Sequence, residues 1–227
     1  MYSVNELEDR LIDLAFAEDI GDGDHTTLCC IPEDAMGKSH LLIKEDGILA
    51  GVEVAKRVFA RFDNTMKVEV LMQDGTRVHK GDVAMVVTGK VRSLLQTERL
   101  MLNIMQRMSG IATMTNRYVE RLKGTNTHVL DTRKTTPGMR ILEKQAVKIG
   151  GGMNHRIGLF DMILLKDNHV DFAGGIKNAI TRCHEYLKEK NLDLKIELEV
   201  RNFDELNQAL ECGGIDRIML DNFSVPD

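Results

Sequence analysis

The chain has 227 residues, 43% of them hydrophobic and 29% charged, and a formal net charge of −5. At ~100–200 residues per domain, this allows one large domain or two small ones with a buried core and no staples. The acidic balance excludes a generally basic nucleic-acid or membrane-surface binder, though not a local basic site.

Residues 5–17 place Leu7, Leu11, Ile12, Leu14 and Ala15 on one stripe, which predicts a short surface helix. This N-terminal stretch is charged and amphipathic, unlike a signal peptide, and no apolar run approaches the ~20 residues that span a bilayer. Asp24 and His25 read as a turn cap. Cys29, Cys30, Cys183 and Cys212 make no C-x-x-C pair, and no histidine stands at zinc-finger spacing from them. Adjacent Cys29 and Cys30 are poorly placed to bridge each other. Reduced thiols in a cytoplasmic protein are the expectation.

Residues 40–43, 66–71 and 82–87 read as strands, punctuated by turns at Asp74-Gly75, Lys80-Gly81 and Thr88-Gly89. A helix over 52–61 crosses them. Ser93 and Gln96 form a capping-box pattern ahead of a long helix with the stripe Met101, Ile104, Met105 and Met108, read as packing rather than a sulfur site. Ser109-Gly110 is expected to interrupt it, and a second helix runs to Lys123-Gly124.

Beyond Gly124 the pattern alternates between strand (128–131, 162–166, 195–200, 217–220) and helix. The first of these helices takes Thr136 as N-cap, Pro137 at its first position and Gly150 at its end. The next carries Ile176, Ala179, Ile180, Cys183 and Leu187, and the last runs from Asn202 with Glu205 to Gly213. Repeated βα units predict a parallel sheet or barrel.

From Asp131 to His169, seven cations face four carboxylates, a +3 segment within a background of −8. Arg133, Lys134 and Lys166 stand at the C-terminal ends of predicted strands, the face that carries the active site in α/β barrels. Arg140, Lys144 and Lys148, four apart on a helix, read as a solvated face. In Ile196-Glu-Leu-Glu-Val200, alternation sets Glu197 and Glu199 on one side of a strand that should be almost wholly apolar if buried on both faces. Buried carboxylates need cations or a metal. Either an internal salt-bridge network or a functional site answers that need, with Asp221 ending the next strand near Glu199. Gly150-Gly-Gly152 precedes His155 and Arg156. The glycines either admit close approach of a ligand or simply stop a helix, and His155 reads equally as structural or functional. Together these residues suggest a polyanionic small molecule gripped by Arg and Lys, with Mg²⁺ held by carboxylates.

At these residues the chain resembles the quinolinate phosphoribosyltransferases (nicotinate-nucleotide pyrophosphorylases, carboxylating). The matching stretches are Glu18-Asp-Ile-Gly-Asp-Gly-Asp-His-Thr-Thr27, Gly47-Ile-Leu-Ala-Gly51, Glu98-Arg-Leu-Met-Leu-Asn103 and Ser109-Gly-Ile-Ala-Thr113. They continue with Asp131-Thr-Arg-Lys-Thr-Thr-Pro-Gly138, Gly150-Gly-Gly-Met-Asn-His-Arg156, Leu165-Lys-Asp-Asn-His169, Glu197-Leu-Glu-Val200 and Met219-Leu-Asp-Asn222. The resemblance implies an α/β fold: an N-terminal α/β sandwich domain (1–108) and a C-terminal open (β/α) barrel (109–227). It implies quinolinate, phosphoribosyl pyrophosphate and Mg²⁺ as reactants and cofactor, with nicotinate mononucleotide, pyrophosphate and CO₂ as products, in NAD biosynthesis. By motif position, Thr132, Arg133, His155 and Arg156 would hold the quinolinate carboxylates. Lys134 and Lys166 would face both substrates' charge, and Glu199 and Asp221 the ribose and Mg²⁺. Arg99 would reach the neighbouring subunit's site in a homodimer.

The family pattern continues past residues 221–224 with further βα units that bind the donor's 5′-phosphate, whereas this chain ends at Asp227. An incomplete barrel is therefore expected, with 217–220 an exposed apolar edge, and weak or absent turnover from these residues alone. Rival readings are a paralogue acting on another nitrogenous acid, a Schiff-base aldolase using Lys166, and a dicarboxylate binder without turnover.

Overall fold

The computed structural model describes residues 3–226. Residues 1, 2 and 227, the outermost of the two predicted domains, lie outside them. The chain divides into two compact units, Met1–His155 and Arg156–Asp227.

The first unit opens with α1 (Val4–Ile20), where Ser3 and Glu6 complete a capping box. The predicted stripe is only partly buried. Ile12 is fully enclosed, while Leu7 and Leu14 are exposed. Charge does much of the docking instead. Arg57 Nε donates to Asp9 at 2.6 Å, Arg61 pairs with Asp13, and buried Glu8 accepts from Gln145. Next come α2 (His25–Cys30), a short helix with Asp24 at its N-cap where the sequence predicts only a capped turn, β1 (Met36–Leu42), β2 (Gly47–Ile48) and α3 (Val52–Phe62). β3 (Lys67–Val70), β4 (Arg77–Val78) and β5 (Val83–Lys90) complete the sheets. β5 is the centre of an antiparallel sheet in the order β1-β5-β3, and β2 pairs with β4. Thr88-Gly89, read as a turn, is part of β5. A Cβ on Gly89 would stand 2.7 Å from Met66 Cγ, so the glycine admits a neighbouring side chain rather than a reversal.

The long helix α4 (Val91–Arg121) continues through Ser109-Gly110 without the expected break. Ser109 Oγ is engaged with the next layer, accepting from Ala50 N at 3.0 Å and donating to Ala50 O at 3.2 Å. Ser93 does not cap the helix either. It donates to Asp63, the residue that ends α3, at 2.6 Å. The Met101, Ile104, Met105 and Met108 stripe packs into one apolar cluster with Val52, Val58, Met85 and Val87, as its periodicity predicts. The 108/109 division lies inside this continuous helix.

α5 (Arg140–Ile149) begins later than expected, with Met139 rather than Thr136 at its cap. The predicted strand at 128–131 is reduced to a single parallel bridge, Leu130 to Met153. The three glycines that follow α5 seat it against α4. A Cβ on Gly150 would strike Ala112 O and lie 2.8 Å from Thr115 Cβ, and one on Gly152 would lie 2.9 Å from Thr115 Cγ2. Close approach accounts for Gly150 and Gly152, and Gly151 between them takes a positive φ of 93°.

In the second unit, β6 (Ile163–Leu165), α6 (Asp167–Ala173), α7 (Ile176–Lys190), β7 (Ile196–Val200), α8 (Phe203–Cys212) and β8 (Arg217–Leu220) alternate. The three strands are parallel in the order β6-β7-β8, in agreement with the βα reading. Asn202 caps α8 by accepting from Glu205 N at 2.9 Å, as expected. Leu165, Ile180, Ile196, Leu198 and Val200 form this unit's own apolar core. On β8, Leu220 is exposed and Ile218 and Met219 are partly covered.

Candidate functional site

The loop after Leu130 carries Asp131, Thr132, Arg133 and Lys134, and one side chain from α5 organises it. Lys144 is 2% exposed and pairs with Asp131, itself 7% exposed at the side chain. Its Nζ also donates to the His155 carbonyl at 3.1 Å, and His155 N donates back to Asp131 Oδ1 at 2.8 Å. This overturns the solvated-face reading of Lys144. The lysine ties the 131–134 loop to the 153–155 segment, and its partner lies 13 residues away, beyond any local pattern. Arg140 is also engaged, donating to Thr135 Oγ1 at 3.1 Å and to the Arg133 carbonyl at 3.3 Å.

Within this frame Lys134 N donates to Thr132 Oγ1 at 3.0 Å, closing a tight turn that leaves the Lys134 side chain exposed. Arg133 is half-buried, and its Nε is shut from solvent with no hydrogen-bond partner among the described residues. Asp131 Oδ2 is likewise buried and unbonded. A buried N–H of a cation is costly to leave unmet, and a bound anion would satisfy it. Arg99 is exposed on α4. No hydrogen bond or ion pair joins it to the loop among the described residues.

In the second unit, alternation puts Glu197, Glu199, Arg217 and Asp221 on one side of the sheet. Glu197 is wholly buried and accepts from Arg217 at 3.1 Å, so for this carboxylate the internal salt-bridge reading holds. Glu199 is nearer the strand end and pairs with Lys166 Nζ at 3.3 Å. Asp221 N donates to Val200 O at 3.0 Å, which sets Asp221 just past Glu199 on the neighbouring strand. Lys166 opens α6, and its N–H donates to His169 Nδ1 at 3.0 Å. Arg156 donates to the Met162 carbonyl at 3.3 Å. Arg201, not singled out from the sequence, binds Glu205 at 2.8 Å and Asp171 at 3.0 Å, a link between α6 and α8. The favoured protonation of that network follows from contact: Arg201 holds the Glu205 carboxyl below the usual carboxylate range.

Two carboxylates on adjacent strand ends beside a lysine form a hard-oxygen donor set. Among the described residues, no group of three or more His, Cys, Asp or Glu gathers to make a full metal cage. Mg²⁺ usually takes one or two carboxylates and completes its shell with water and substrate phosphate. Also among the described residues, no helix is long and apolar enough to cross a membrane.

Comparison with known proteins bears on the same residues. The family model "Quinolinate phosphoribosyl transferase, C-terminal domain" matches residues 111–227, and its N-terminal counterpart matches 24–109. The chain is 47% identical over 222 residues to nicotinate-nucleotide pyrophosphorylase (carboxylating), chloroplastic, of Arabidopsis thaliana. That match covers 95% of this chain and 63% of the relative, so the chain spans under two thirds of that curated relative's length. A probable nicotinate-nucleotide pyrophosphorylase of Synechocystis is 41% identical over 206 residues, 91% of this chain and 68% of that protein. Among solved structures, NadC from Streptococcus pyogenes superposes with a TM-score of 0.90 at 39% identity, covering 100% of this chain and 78% of that one. The Francisella tularensis nicotinate-nucleotide pyrophosphorylase gives 0.89 at 40% identity, over 99% and 77%.

Proposed function

Because this chain belongs to the quinolinate phosphoribosyltransferase family, we propose that it transfers phosphoribosyl from phosphoribosyl pyrophosphate to quinolinate. The products are nicotinate mononucleotide, pyrophosphate and CO₂, so the chain is a pentosyltransferase of NAD biosynthesis. The observation that carries this reading is Arg133 with its buried, unbonded Nε, beside exposed Lys134 on a loop held by a buried ion pair. Such a loop suits a dicarboxylate ligand.

In this reading Thr132, Arg133, His155 and Arg156 bind and orient the carboxylates. The pyridine nitrogen is itself the nucleophile, so the chain supplies no covalent catalyst. Positive charge develops at the anomeric carbon as pyrophosphate leaves, and Glu199 and Asp221 stabilise it. Lys134 and Lys166 neutralise the substrates' negative charge. Glu199 and Asp221 would also hold Mg²⁺, which when bound neutralises the leaving group. The functional division of the chain at 108/109, a homodimer in which Arg99 serves the neighbouring site, and a cytoplasmic location belong to the same proposal. The two family models meeting near residue 110 and an exposed Arg99 with no hydrogen bond or ion pair among the described residues support its first two parts.

Incubation with quinolinate, phosphoribosyl pyrophosphate and Mg²⁺, read by mass, tests the reaction, and calorimetry tests quinolinate binding. Binding lost in Arg133→Ala is the expected result. A chain that neither binds quinolinate nor forms product refutes the proposal.

A further inference from the structure

The last turn of α2 carries Cys29 and Cys30 side by side, both exposed, with their sulfurs 3.4 Å apart. Cys29 Sγ also lies 3.3 Å from the Thr26 carbonyl. The segment is held at both ends. Asp24 accepts from Thr27 N at 3.0 Å, and Arg92 of α4 donates to the carbonyls of Ile31 at 2.9 Å and Leu28 at 3.3 Å. The two thiols are therefore presented together by a fixed backbone.

Chain geometry decides what such a pair can do. An ordinary disulfide sets its Cα atoms roughly 4.4–6.8 Å apart, whereas neighbours across a trans peptide are held at about 3.8 Å. Bridging by oxidation fits poorly. Chelation fits well: two sulfurs each ~2.3 Å from a shared soft centre, at angles of about 90–110°, stand roughly 3.3–3.8 Å apart, a range that includes the 3.4 Å found here. Among the described residues no third His, Cys, Asp or Glu joins the pair, so the site offers two donors, short of the four that enclose structural zinc. Two donors satisfy a centre with two exchangeable valences.

We propose that Cys29 and Cys30 form a vicinal dithiol site for a soft, thiophilic centre with two exchangeable positions, the class represented by monosubstituted trivalent arsenicals. The step is a condensation. Two As–S bonds form, the As=O bond breaks, and the oxygen leaves as water with the two thiol protons. Arsenic stays trivalent, and nothing is oxidised or reduced. Cys183 and Cys212 serve as internal controls. Burial pushes the Cys183 thiol pKa up, and Cys212 is exposed but single.

The test is titration of the chain with phenylarsine oxide, followed by intact-protein mass and by counting maleimide-reactive thiols. One arsenical per chain is expected, with two thiols protected, reversed by 2,3-dimercaptopropanol but not by a monothiol. Cys29→Ser and Cys30→Ser should each weaken binding at least ~100-fold, the advantage of a second ligand already in place. Cys183→Ser and Cys212→Ser should leave it unchanged. Because both vicinal side chains are exposed, their serine variants should keep the wild-type circular dichroism and melting temperature. The proposal fails if the wild type binds no more tightly than Cys29→Ser, or if the Cys29→Ser/Cys30→Ser double variant retains tight binding.

Discussion

Lys144 and Asp131 form an ion pair almost wholly withdrawn from water, with the His155 backbone closing the ring on both sides. Removing one member of a buried pair strands the other charge, at a cost of about 3–5 kcal/mol. Lys144→Ala should therefore lower unfolding free energy by about that much in urea titration. Lys144→Met combined with Asp131→Leu should recover part of the loss, because no lone charge remains. A loss below about 1 kcal/mol in the single variant would contradict the pair's role.

Arg133 and Glu199 should separate in kinetics. Arg133 is placed to orient substrate, so Arg133→Ala should raise KM for quinolinate more than it lowers kcat. Glu199 is proposed to meet charge that appears only in the transition state, so Glu199→Ala should lower kcat by about 10²–10³-fold. A fall in kcat alone for Arg133→Ala, with KM intact, would reverse these assignments.

Two glycines should respond in opposite directions to the same methyl group. Gly110 lies inside α4 with nothing within 4 Å of an added Cβ. Gly110→Ala should stabilise by about 0.5–1 kcal/mol. Gly150 has ordinary right-handed backbone at φ −73°, but its Cβ would enter the Ala112 and Thr115 contact. Gly150→Ala should destabilise by about 1–3 kcal/mol through overpacking alone. Thermal melts of the two variants decide the matter.

Asp63 should make stability fall in acid. The Ser93 hydroxyl, then Thr65, hold its carboxyl below the usual range. A carboxyl with a depressed folded-state pKa adds stability above its unfolded value, about pH 4, and loses that contribution as pH falls through the folded value. Ser93→Ala should cost about 0.5–1.5 kcal/mol at neutral pH. It should cost less in acid below that folded value, where Asp63 is protonated. An equal loss at both pH values would show that the serine acts by packing only.

Local pattern carried the fold where the physics is local. The Asn202 cap, the Met101–Met108 stripe and the βα alternation depend on residues one or two turns apart, and all three are in the structure. Glu199 and Lys166 meet although 33 residues separate them, because both end neighbouring parallel strands. Reading failed where distant partners decide. Lys144 is spaced like a surface residue, but Asp131 makes it a buried one. Gly89 resembles a turn because its contact with Met66 is made across the sheet. Ser109-Gly110 resembles a break because the hydroxyl's partner, Ala50, is 59 residues away.

The unbroken course of α4 has a consequence for how this chain can be cut. At 31 residues it is a rod of about 46 Å. The two family models meet near its middle, yet Met105, Met108 and Ala112 on either side of that point share one apolar cluster. A fragment ended there would leave half a stripe bare and prone to self-association. The inherited modules are thus not independent parts, and exchange of domains between relatives would succeed only with the whole helix carried on one side of the join.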